Sequence, residues 1–154
     1  MKLIKQPNKW SCLPTAFAMI LDIELDYILR YLGHDGSNIV DINSPEPFNR
    51  RSFHIQELQE FIWHHGFFLT PFEANPCLLI KDNFSPIFIR DIKKSNKIMK
   101  KLLRENMGVI IGEPQHNKKH AVAWNKRLIY DPNGLRYPLE EFPIETFYIV
   151  GRKA

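Results

Sequence analysis

The chain predicts an α+β fold, a helical lobe set against an antiparallel sheet. Apolar residues recur at helical spacing through the first half of the 154 residues. The second half holds short β-prone runs separated by turns. Glycines support the division, with Gly33 and Gly66 standing just past two of the helical stretches.

Taken in order, Ser11 is placed to cap a helix over 12–21. Pro14 is tolerated there because first-turn N–H groups have no partner inside the helix. A second helix over 22–32 puts Ile23, Tyr27, Ile28, Tyr31 and Leu32 on one face and stops at Gly33. A loop rich in Gly, Asn, Ser and Pro leads to about Arg51. A third helix over 54–65 aligns Ile55, Leu58 and Ile62, with Gly66 beyond its end. Residues 67–72 and 87–89 read as β-prone runs, and 96–105 as an amphipathic basic helix. Strands follow over 107–111, 121–124, 128–130 and 147–150.

Composition narrows the function classes. The length suits one domain over 1–154, and 44% hydrophobic with 25% charged residues is an ordinary globular balance. The first ten residues lack the apolar core of a secretion signal, and the apolar run 13–21 is too short to span a bilayer. Cys12 and Cys77 show no CxxC spacing, so neither a disulfide framework nor a zinc knuckle is expected. The expected location is the cytoplasm, with thiols reduced. A net charge of +4 permits an acidic partner without demanding one.

Two stretches carry chemistry. In "QPNKWSCLPTAFAMIL", Cys12 opens an apolar helix, where the macrodipole and free N–H groups favour a thiolate, and Gln6 lies six residues upstream with an amide to donate. In "HAVAWNKRLIYDPNG", a turn centred on Asn125-Lys126 pairs Trp124 with Arg127, Val122 with Ile129 and His120 with Asp131. The carboxylate then faces the imidazole and fixes its tautomer. Read without Cys12, the same pair is a surface ion pair near a hairpin end. With Cys12, the parts are those of a cysteine hydrolase: thiolate, imidazole, orienting carboxylate and oxyanion donors, the Cys12 backbone N–H among them.

This ordered set resembles the papain-like cysteine peptidases, and within them most closely the bacteriocin-processing branch. The match runs from Gln6 and Cys12 through the two-helix start and "SFHIQELQEFIWHHGF" to His120 and Asp131. The resemblance implies a papain-like fold and a peptidase or isopeptidase without a cofactor. Cys12 would be the nucleophile, His120 the general base and acid, Asp131 its orienter and Gln6 an oxyanion donor. Leu13 and Pro14 follow Cys12 where the family commonly has Gly and then Ala, which narrows access to the thiol. The interval from His120 to Asp131 is shorter than usual, implying a tight hairpin.

Other candidates read as structural. Cys77 in "NPCLLI" is expected to be a buried strand cysteine. His116 and His120 have the offset of helical zinc ligands, yet "GEPQHNKKH" begins with a turn and leads into a strand. His64 and His65 close a helix, where cations suit the dipole, while His34 and His54 show no partner in sequence. Asn133 is an alternative orienter, displaced by two residues in the expected register. The basic helix, 93–104, reads as a solvated face with Ile98, Leu102 and Leu103 inward, or as a surface for an acidic partner. The alternative function is a non-catalytic binding protein that holds a peptide or acidic partner in its groove or on that helix.

Overall fold

The computed structural model describes residues 1–38, 43, 51–74 and 92–154, with only the backbone of 92–95. Cys77 and the β-prone run 87–89 lie outside the described residues. The fold is α+β. The elements are α1 (Cys12–Leu21), α2 (Leu25–Leu32), α3 (Ile55–His64), β1 (Phe67–Glu73), α4 (Ile92–Glu105), β2 (Met107–Gln115), β3 (Lys118–Asn125), β4 (Leu128–Asp131), β5 (Leu135–Pro138) and β6 (Thr146–Arg152). A 3-10 turn, Leu139–Glu141, follows β5.

Among the described residues, six antiparallel strands form one sheet in the order β1-β6-β2-β3-β4-β5. Helix α1 is apolar nearly all round, and every one of its residues is buried, as a central helix requires. It packs on β2 and β3, where Phe17 and Ala16 join Val109, Ala121 and Ala123 in one core. The α4 side chains Met99, Leu102 and Leu103 belong to a second core with Ile110, Val122, Trp124, Ile129 and Phe147. Strand alternation puts these two sets on opposite faces of the sheet. Trp124 secures the second, its indole N–H donating to the Leu103 carbonyl at 2.8 Å. The expected β-prone run 67–72 is thus the edge strand β1, and the expected basic helix, which begins at Ile92 rather than Asn96, covers the far face.

Several local expectations change. Ser11 stands before α1, but its hydroxyl donates to the Asn8 carbonyl at 3.1 Å and caps nothing. Helix α2 starts at Leu25, not at Asp22, because Asp22 takes a left-handed φ of 56° that closes α1. At α3 the His54 side chain accepts the Glu57 N–H, while the Glu57 carboxylate accepts the His54 N–H at 2.6 Å. Glu57 also receives His34 Nε2 at 2.6 Å, and the His34 ring stacks on Phe53. Residues 113 and 114 are not a turn: they form an irregularity inside β2, where the register with β3 shifts between Gly112 and Gln115. Pro14 and Pro114 are accommodated for one reason, since neither position needs a backbone N–H.

Candidate active site

The β3–β4 hairpin differs from the expected register by two residues. Its turn is Lys126-Arg127, with Asn125 opposite Leu128, Trp124 opposite Ile129 and Ala123 opposite Tyr130. His120 and Asp131 are therefore diagonal neighbours rather than a directly opposed pair. A shift of two preserves the side on which each side chain emerges, so the contact survives. His120 Nε2 lies 2.8 Å from Asp131 Oδ1.

Asp131 is buried and held on both oxygens. The Asn133 N–H donates to Oδ1 at 2.8 Å, and the Tyr137 hydroxyl donates to Oδ2 at 2.6 Å. Tyr137 lies on β5, which the sequence pattern does not reveal. Burial disfavours the Asp131 carboxylate, but the bonds from His120, Tyr137 and the Asn133 N–H outweigh it and hold its pKa below the usual range. Tyr137 is shifted the other way, upward, by burial and by the carboxylate it faces.

Cys12 and His120 line the same cleft, and the sulfur is near enough to favour the charged form of the ring. With Nε2 turned to Asp131, Nδ1 is the ring nitrogen left for the thiol. Burial opposes a charge on the ring, yet the bond to Asp131 and the neighbouring Cys12 prevail and raise the His120 pKa from 6.5 to about 9. Both residues open onto a cleft of about 490 Å³. Leu13, Phe53 and Ile55 line its helical wall, and Ile111, Ala121 and Tyr148 its sheet wall. Cys12 is 9% exposed, at the foot of this cleft. The irregularity at 113–114 directly follows Gly112, the cross-strand partner of His120, a setting in which strands re-aim side chains.

Gln6 reaches the same neighbourhood from the other side. Its backbone N–H donates to the Pro132 carbonyl at 2.8 Å and its side-chain Nε2 to Asn133 Oδ1 at 2.9 Å. One amide hydrogen is thus committed to Asn133, while Gln6 Oε1 is buried without a partner among the described residues. Asn133 Nδ2 in turn lies 3.5 Å from His120 Nε2. The alternative orienter is therefore beside the imidazole, but Asp131 makes the shorter contact.

Of the remaining histidines, His54 at the start of α3 lines the same cleft. His116 is exposed in the β2–β3 turn near Glu113, and His65 binds the Phe61 carbonyl at 2.7 Å. Among the described residues no group of three or more His, Cys, Asp or Glu is placed to hold a metal ion. No helix among them is long and apolar enough to cross a membrane. No protein-family model matches the chain, and no curated protein matches it.

Proposed function

We propose that this protein is a papain-like thiol hydrolase acting on a peptide or isopeptide bond in the reducing cytoplasm. One observation carries the reading: Cys12 and His120 line one cleft, and the His120 ring is hydrogen-bonded on its other side to the buried Asp131. A raised imidazole pKa beside a thiol suits a thiolate–imidazolium pair, the form of a cysteine nucleophile that attacks without a separate base.

In this mechanism the Cys12 sulfur bonds to the carbonyl carbon, and the carbonyl oxygen becomes an oxyanion. The Cys12 backbone N–H, in the first turn of α1, is one donor to that oxyanion. Gln6 supplies the other through the amide hydrogen not committed to Asn133. His120 protonates the departing amine as the C–N bond breaks, leaving a thioester. Water then attacks the thioester carbon and gives its proton to His120, releasing the acid and restoring the pair. Asp131 keeps the ring oriented throughout.

The test compares wild type with Cys12→Ala on peptide, isopeptide and small amide reporters, with mass spectrometry for the acyl-enzyme. Cys12-dependent turnover and an acyl adduct on the Cys12 peptide support the reading. No turnover of any reporter, together with no adduct from a thiol-directed peptidyl electrophile, replaces it with a binding protein of the same architecture.

A further inference from the structure

The cleft beside Cys12 carries a cation on each wall, and no carboxylate among the described residues that line it. Arg51 stands on the helical wall, two residues before Phe53. Its guanidinium lies 5.4 Å from the Trp10 ring centre, a cation–π contact that needs none of its N–H donors. Lys119 stands on the sheet wall, immediately before His120. Its ammonium meets Glu145 at 3.1 Å, which occupies one of three donors and leaves two for a ligand. Leu13, Phe53 and Ile111 supply apolar surface between these cations, lowering the local dielectric and strengthening any ion contact made there.

We propose that the cleft receives a peptide bearing a carboxylate within about two residues of the bond presented to Cys12, held by Arg51 and Lys119. The position relative to Cys12 rests on the hydrolase reading; the carboxylate site itself does not. Two sources offer this group, an Asp or Glu side chain and the C-terminal end of a chain.

Binding to the full-length Cys12→Ala protein separates them. Three pools of short peptides, randomised over uncharged residues and tagged with a net-neutral dye, are titrated by fluorescence anisotropy. The first has a central Glu and an amidated end. The second has Gln in its place, and the third has the Gln with a free C-terminus. The Glu pool is expected to bind about tenfold or more tightly than the amidated Gln pool, as a charge-assisted contact implies. The gap narrows as salt rises from about 50 to about 500 mM. Arg51→Gln and Lys119→Gln each shrink it several-fold, together they remove it, and Arg51→Lys restores part of it.

A gain confined to the free-terminus pool keeps the carboxylate site and assigns it to chain ends. Equal binding of all three pools, or binding of none, overturns the proposal. Because this protein cannot turn substrate over, a wild type that hydrolyses nothing counts against the hydrolase reading alone.

Discussion

Tyr137 gives its phenolic hydrogen to Asp131 Oδ2 at 2.6 Å, while His120 and the Asn133 N–H occupy Oδ1. The carboxylate has no rotational freedom left, and the imidazole inherits that rigidity. Tyr137→Phe removes one bond and keeps the ring. It leaves a buried acceptor unpaired, so denaturant unfolding should show a loss of about 1–3 kcal/mol. In the proposed hydrolase, kcat should fall about tenfold with KM little changed, since only the aim of the base is relaxed. An unaltered kcat would make Tyr137 a purely structural residue.

Asp131→Asn keeps the shape and removes the charge. With the tautomer no longer enforced, turnover should drop by about three to four orders of magnitude, the scale of such changes in hydrolytic triads. Circular dichroism should report an intact fold. Turnover near the wild-type level would shift the orienting role to Asn133, the other polar group near the ring.

The His120 ring should titrate with a midpoint of about 9, measured by NMR of its carbon-bound protons. Cys12→Ala and Asp131→Asn should each lower that midpoint, because both partners stabilise the imidazolium. Stability follows with a definite sign. A folded pKa above the unfolded value of 6.5 contributes stability fully below 6.5 and loses it as pH rises through 9. Asp131, held below 3.8, contributes above that value and loses its share as pH falls. Urea unfolding at pH 6, 9.5 and 3 should show the first value highest with respect to these two groups, and the difference should shrink in Asp131→Asn.

Lys97, Lys100 and Lys101 are exposed on α4, and none of them lines the Cys12 cleft. Reversing all three to Glu should leave hydrolysis of a small uncharged reporter within about twofold of wild type, as surface changes rarely exceed ±0.5 kcal/mol. A large loss of turnover, with the thermal midpoint unchanged, would connect this helix to catalysis.

Gly112 has a narrower role. A Cβ there would meet the Pro143 carbonyl and the Phe142 ring, on the strand position paired with His120. Gly112→Ala should destabilise the protein by about 1–3 kcal/mol, as overpacking does. Thermal unfolding measures it.

Local sequence suffices for α1, where a ten-residue, mostly apolar segment is long for a strand and follows Ser11, and for the end of α2 at a left-handed Gly33. It also brings out the His120–Asp131 contact, although not its register. Asn125 is the better residue for positive φ by chemical type, yet Lys126 adopts it, with φ 58°. What decides is a tertiary bond: the Lys126 N–H donates to the Asn106 carbonyl just past α4, at 2.9 Å. Strand β5 gives no signal because Leu135, Arg136 and Pro138 are exposed on an edge, so Tyr137 passes unnoticed with it. The Gln6–Asn133 bond joins distant parts of the chain, and nothing local encodes it.

The diagonal placement of His120 and Asp131 has an evolutionary consequence. Because side chains alternate along a strand, a one-residue insertion or deletion within 121–130 must be expelled as a bulge, or it sends imidazole and carboxylate to opposite faces of the sheet. A change of two keeps both side chains on one face and shifts their register by one side-chain step. Length variation among descendants of this hairpin should therefore run in even steps inside the ladder. Odd steps should gather at the Lys126-Arg127 tip, where added residues loop out and the pairing stays as it was.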